Sequence, residues 1–234
     1  MNQLTRFSAV IVLGSISVQA APLLFPTDAV FGGRSDGTSF LVGAVGTDGG
    51  NTVYTDNVWP MNESPDHLVD GVSQKFLSFA ELNTGFIVTP GTLGVGNTSI
   101  ATSLQIWTAN DADVRDPASY ELYGTNATIT GSGPFALTLF TLISSGPLSL
   151  PLTRNGTGTA ALVDANSQTV AFANSQSYKS YLVLFPTVRN EPSANSMQVG
   201  EVEISGTIVP EPGVFALAGV ASIGLLSRRR RVRA

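Results

Sequence analysis

The 234-residue chain has no cysteine and one histidine, His67. Disulfide staples, thiol nucleophiles and cysteine-held metals are therefore excluded. Any zinc site would have to be built mostly from carboxylates. Charge is also scarce: Asp, Glu, Lys and Arg make up 12% of the residues, with 17 acidic against 12 basic. Five of the basic residues crowd into the end of the chain as Arg228, Arg229, Arg230, Arg231 and Arg233. What precedes them is acidic, which argues against nucleic acid as a partner. Helical periodicity is missing too. Outside two terminal segments, no 3.6-residue apolar stripe persists for three turns.

These absences bear on catalysis. A serine triad would need His67 as its base, but Pro65-Asp66-His67 reads as a surface loop without a nucleophile elbow nearby. Glycoside hydrolysis asks only for two carboxylates, yet few acidic residues fall in strand-like segments. Gly94-Val95-Gly96 and Gly156-Thr157-Gly158 have no helix after them and are not phosphate cradles. The chain reads as a protein that is not an enzyme.

What is present begins with the two ends. Arg6, the apolar run 7–18 and Val18-Gln19-Ala20 form a signal peptide over residues 1–20, cut by signal peptidase after Ala20. At the other end, Pro210 and Pro212 lock their backbone, so Glu211 sits in an extended, readable strip. The uncharged run 214–226 follows, shorter than the roughly 17–20 residues a bilayer crossing needs. Gly213, Ser227 and snorkelling arginines would complete it. Arg228, Arg229, Arg230 and Arg231 hold the end in the cytoplasm and place the rest outside. A tail packed on the domain would leave these arginines facing nothing acidic.

In all three parts, residues 209–234 resemble the PEP-CTERM family of bacterial sorting signals. The resemblance implies an exosortase that cleaves near the Pro-Glu-Pro. It also implies transient inner-membrane anchoring through the C-terminal helix, then release to the cell surface or extracellular matrix. In such families the cargo is often tied to exopolysaccharide or biofilm.

Between the ends lie about 190 residues, enough for one domain with one core. About 70% of the unfolded surface can be buried at that length. Short β-branched or aromatic runs at 40–45, 85–89, 100–109, 119–123, 135–143, 169–172, 180–185 and 201–205 are bounded by Gly, Pro, Asn and Asp. Ile100, Leu104 and Ile106 share one face, with Ala101, Ser103 and Gln105 on the other. Residues 180–185 are apolar on both faces and read as a central strand. Met197 and Val199 occupy odd positions while Val202 and Ile204 occupy even ones. A bulge or strand boundary therefore falls at Gly200-Glu201. The pattern is all-β: a single-domain jelly-roll β-sandwich over 58–208. Residues 21–57 form either its first strands or a loose N-terminal extension.

Asp70-Gly71 marks a turn, either an ordinary one or a loop that aims several oxygens at one cation. Glu201 starts a strand beside a glycine, a place that suits a metal ligand. Asn110-Asp111-Ala112-Asp113 lacks the glycine and distal glutamate of an EF-hand and reads as a solvated turn. Arg115 and Asp116 are expected to pair and fix that loop.

Four segments, in order across about 58–206, resemble the discoidin or coagulation-factor type C family of galactose-binding-like domains. They are Asp70-Gly71 running into Lys75-Phe76, the strand Leu104-Gln105-Ile106-Trp107-Thr108, the stretch from Arg115 to Gly124, and the closing Val199-Gly200-Glu201-Val202-Glu203-Ile204. The resemblance implies a structural calcium ion held by the Asp70 and Glu201 side chains and the Val72, Gln74 and Gly200 carbonyls. The loop is one residue shorter than the family pattern and has Gln74 nearest the place of its threonine. It also implies a carbohydrate- or matrix-binding module. Trp59 is the one aromatic to nominate as a sugar platform, although a core anchor is its favoured role. The alternatives to glycan binding are a structural matrix or biofilm protein without a discrete ligand site, or a small extracellular polysaccharide hydrolase.

Overall fold

Alternation of β-branched and aromatic residues with polar ones produces strands that must bury one face, and here nearly every segment does so. The computed structural model describes residues 20–46, 57–91 and 97–210. Residues 1–19 of the expected signal peptide, Glu211, Pro212, the run 214–226 and the arginine cluster lie outside the described residues. Among the described residues, no helix is long and apolar enough to cross a membrane.

In chain order the strands are β1 (Ala21–Pro22), β2 (Ala29–Ser35), β3 (Ser39–Val42), β4 (Ala44–Val45), β5 (Val58–Trp59), β6 (Phe76–Ser78), β7 (Thr84–Thr89) and β8 (Thr98–Trp107). They continue with β9 (Ser119–Thr125), β10 (Phe135–Ala136), β11 (Thr141–Pro147), β12 (Ser167–Ala171), β13 (Ser180–Phe185), β14 (Met197–Val199) and β15 (Glu201–Val209). One sheet has the order β1-β15-β8-β12 and the other β10-β3-β2-β7-β13-β9-β11. Ala101, Leu104, Ile106, Val202 and Ile204 of the first share one core with Phe86, Val88, Leu122, Tyr181, Val183 and Phe185 of the second. Two antiparallel sheets closed over a single core make a jelly-roll β-sandwich. β2 and β3 are integral to the larger sheet, so the sandwich begins well before residue 58.

Strand β13 lies between β7 and β9, and all six of its residues are buried. Tyr181, Val183 and Phe185 face the inter-sheet core. Leu182 and Leu184 join Phe40, Ile87, Phe135 and Phe140 in a second cluster on the outer face. That cluster explains why 135–143 is not one strand. The chain breaks after β10 into a 3-10 turn at Leu137–Leu139, and folding back lets both Phe135 and Phe140 cover the outer face.

Two further local readings resolve at bulges and boundaries. In β8 the core-facing residue is Ala101, not Ile100. The register with β15 shifts between Ser205 and Gly206, leaving Thr102 as an extra residue that reverses the alternation. At Gly200 the chain changes sheets: β14 pairs with β6, and β15 with β8 and β1. Met197, Val199, Val202 and Ile204 all stay in the core across that switch.

The antiparallel pairing gives the sandwich two poles. Trp107 lies opposite Glu201 at one end of β8 and β15, and Thr98 opposite Val209 at the other. The first end gathers the loops that precede β6, β9, β12 and β14. The second is where β15 runs out toward Pro210. At about 3.3 Å per residue, the length of β15 separates these poles by roughly 25 Å.

Near the exit pole, the buried Tyr181 hydroxyl donates to the Ser99 carbonyl at 2.7 Å and lies 2.8 Å from Ser99 Oγ. Burial pushes the Tyr181 phenol up to about 12 from 10.0. A raised value means that the folded state favours the protonated phenol. Its contribution is complete below pH 10 and fades as pH climbs toward 12. Thermal melts should therefore show Tm falling across that window together with tyrosinate absorbance. Tyr181→Phe should cost about 1 kcal/mol at neutral pH and flatten the alkaline decline. A Tm that is level to pH 12, or a decline unchanged in the variant, would contradict the assignment.

Candidate functional site

Three polar clusters meet at the loop pole. The first starts from a 3-10 turn at Pro65–Leu68 that delivers Asp70. Gly71 follows with φ of 78°, a left-handed conformation that glycine adopts without strain. Asp70 Oδ1 accepts the Val72 N–H at 2.9 Å, and its Oδ2 lies 2.9 Å from His67 Nδ1. The Gly71 N–H donates to Glu201 Oε2 at 3.1 Å, across 130 positions of sequence. Gly200, just before, is held against β8: a Cβ there would lie 2.5 Å from the Thr108 carbonyl oxygen. That close approach seats Glu201 at the first position of β15, where it is buried.

Asp70 and Glu201 thus come together, with Val72 and Gln74 on the same loop and Gly200 adjoining Glu201. Burial first, and the neighbouring Asp70 charge second, push the Glu201 carboxyl up to about 9. A carboxyl on a tight turn facing another at the start of β15 is a donor set that fits a hard cation such as calcium. Among the described residues, no group of three or more His, Cys, Asp or Glu side chains could hold a metal. A cation here would therefore rely on two carboxylates plus carbonyl oxygens and water. His67 offers Asp70 a competing partner. Its side chain is only 14% exposed, so it is not the free surface-loop residue expected from sequence.

Lys75 organises the second cluster. Its side chain is almost fully buried, with Nζ 2.9 Å from Asp111 Oδ1, 3.4 Å from Glu63 Oε1 and 3.4 Å from Gln198 Oε1. Gln198 Nε2 in turn donates to the Asp111 and Ala112 carbonyls at 2.7 and 3.0 Å. The turn at 110–113 is therefore held by Lys75 and Gln198 rather than merely solvated. Beside it lies an open pocket of about 230 Å³, lined by Asn62, Glu63, Gln74, Lys75, Asn110 and Thr157 among others.

The third cluster corrects the expected Arg115–Asp116 pair. Asp116 is fully buried, and its partner is Arg154, which donates from Nη1 and Nη2 to the two carboxylate oxygens at 2.8 Å each. Arg189 adds a bond from Nη2 at 3.1 Å. The two guanidiniums also reach the carbonyls of Pro151 and Leu150 at 2.6 Å. Burial raises the Asp116 carboxyl, and Arg154 followed by Arg189 draws it back down.

Trp59 does not serve as an exposed platform. It is 8% exposed and packs edge-on against Phe76 with ring centroids 6.1 Å apart. Strand β5 pairs with β4 and turns the indole inward, so Trp59 anchors the core. The residues that sequence reasoning missed are Lys75 as an ion-pair centre, Arg154, Arg189 and Gln198. Gln198, buried between Met197 and Val199, was the one visible signal: a polar residue inside an apolar strand needs partners.

Residues 209–231 match the PEP-CTERM protein-sorting motif. The motif makes the chain an exported exosortase substrate with a surface or extracellular destination. No curated protein matches the sequence. Among solved structures, the family 32 carbohydrate-binding module of Clostridium perfringens NanJ, solved with galactose, is similar at 10% identity and a TM-score of 0.47, covering 80% of this chain and 99% of that one. A second C. perfringens module, solved with GalNAc-β-1,3-galactose, gives 12% identity and 0.46, covering 79% and 99%. The module of Streptococcus pneumoniae EndoD gives 10% identity and 0.46, covering 80% and 100%. At these TM-scores the overlap is partial, and the fold rests on the sheets and core described above.

Removing Asp116 strands two cations in a dry setting, which typically costs about 3–5 kcal/mol. Asp116→Ala should shift the denaturant midpoint accordingly, whereas Arg115→Ala should leave it nearly unchanged. The opposite ranking would restore Arg115 as the partner.

Proposed function

We propose that the processed chain is a surface-displayed, non-catalytic domain that binds extracellular glycan or matrix through its loop pole. The observation that carries this reading is the placement of that pole. The open pocket beside Lys75 and the ion-paired loops around it lie at the end of β15 opposite the exit toward the sorting motif. A chain attached through its C-terminus presents that end outward. Planar carboxamides such as those of Asn62, Gln74 and Asn110 suit paired sugar hydroxyls. The carboxylates nearest the pocket are engaged by Lys75, which favours binding over acid–base work.

Before processing, the run 214–226 and the arginines behind it hold the chain transiently in the inner membrane, with signal peptidase and exosortase as processing partners. A calcium ion held by the Asp70 and Glu201 side chains, with the Val72, Gln74 and Gly200 carbonyls, stiffens the pole and takes no part in chemistry.

Two measurements test this. Binding to glycan arrays or to the producing cell's exopolysaccharide should weaken about tenfold or more in Gln74→Ala and Asn110→Ala, equivalent to about 1.4 kcal/mol. Equal binding by wild type and both variants would move the site away from this pocket, and no binding at all would leave a scaffold without a ligand site. Removing calcium with EGTA should lower Tm by several degrees, since each kcal/mol is worth about 2–4 °C at this size. Glu201→Gln should abolish the EGTA-sensitive part. A Tm indifferent to calcium and EGTA would eliminate the ion.

A further inference from the structure

The outer face of the larger sheet carries a second cleft, of about 450 Å³. That volume lies within the range of about 300–1,000 Å³ typical of small-molecule sites. Its apolar lining comes from Leu184 of β13, Leu137 of the 3-10 turn and the ring of Tyr123, all belonging to the outer-face cluster. Its polar lining comes from Arg34, Asp36, Asn83 and Glu121. None of these residues takes part in the three clusters at the loop pole.

The polar groups are held in place by bonds of their own. Glu121 and Tyr123 sit two apart on β9 and so share its outer face, and the Tyr123 hydroxyl donates to Glu121 Oε2 at 2.6 Å. Asp36 is fixed at the β2–β3 turn, where its Oδ1 accepts the Thr38 and Ser39 N–H groups at 2.8 and 2.7 Å. Those N–H groups hold the Asp36 carboxyl below its usual range, so it stays ionised. Asn83 has φ of 54°. Its backbone is bonded on both sides, donating to the Pro186 carbonyl and accepting from the Ser35 N–H. Its carboxamide has no protein partner among the described residues.

We propose that this cleft is a separate binding site for one uncharged sugar residue. An apolar floor flanked by a phenol ring suits the C–H face of a pyranose. The remaining lone pairs of the fixed carboxylates and the Asn83 carboxamide suit its hydroxyls. Two carboxylates against one guanidinium disfavour an anionic sugar. The ligand class rests on the glycan reading above, but the location does not, because the cleft shares no residue with the loop pocket.

The test uses isotope-labelled, processed protein from a host that exports it, titrated with galactose, glucose, mannose and glucuronate. At least one neutral hexose should shift and saturate the amide resonances of Asn83, Tyr123 and Leu184 at millimolar concentration, with glucuronate at least tenfold weaker. Asn83→Gly, which suits the positive φ and removes only the carboxamide, should weaken that binding about tenfold while Tm holds. Tyr123→Ala should abolish it. Shifts confined to Ser73, Gln74 and Asn110 would overturn the cleft and leave the loop-pole reading intact. Tighter binding of glucuronate than of any hexose would also overturn it, as would no hexose response at these three amides. Cleft shifts without any effect of Gln74→Ala or Asn110→Ala on polymer binding would support the cleft against the loop pocket.

Discussion

Asp116 holds the loop pole together. It emerges just before β9, yet its carboxylate ties down Arg154, from the long segment between β11 and β12, and Arg189, from the segment between β13 and β14. Neither segment has a sheet ladder to fix it along most of its length, so the ion triad replaces backbone pairing as the source of order. The cost of drying a carboxylate is offset because every oxygen receives a guanidinium proton and the guanidiniums also satisfy stray carbonyls. Lys75 repeats this solution a short way off, with Glu63, Asp111 and Gln198. The pole is thus built from buried charge, while the rest of the sandwich is built from apolar contact.

This division accounts for what could be read from the residues. Segment 180–185 announced itself as a central strand because both of its faces are apolar, and such a strand can sit only with material on each side. The parity change between Val199 and Val202 likewise announced a boundary, since a period of two leaves no other way to keep both pairs in the core. The pairing of Asp70 with Glu201 followed from the resemblance, and the two come together at Gly71. Ion pairs carry no such period. Nothing in the local sequence around Arg154 or Arg189 points to Asp116, so the adjacent Arg115 looked like the partner. The extra residue at Thr102 was equally silent, because a bulge is set by the neighbouring strand rather than by its own residues. Trp59 was legible in its favoured role as a core anchor, though a Trp beside proline reads the same whether its ring faces solvent or Phe76.

The two clefts differ in how they are made. The loop-pole pocket is walled mostly by loop residues that the Lys75 ion pairs hold in place, so its shape is inherited in part from electrostatics that also stabilise the fold. The cleft on the larger sheet stands on β9 and β13, with rim groups pinned by a phenol–carboxylate bond and by turn N–H donors. Loops can be redrawn by substitution more freely than strands can. The two surfaces therefore have different freedom to change specificity while the core remains as it is.

The position of β15 carries a mechanical consequence. The strand leads directly into the sorting motif and lies between β1 and β8, with β8 register pairs running from Glu201 to Val209. Under the proposed function, tension between an attachment beyond Val209 and a ligand held at the opposite pole would act along this strand, parallel to its neighbours. The cross-strand bonds are then sheared together instead of being unzipped one at a time. Such a load would thus meet the sheet in its shear direction.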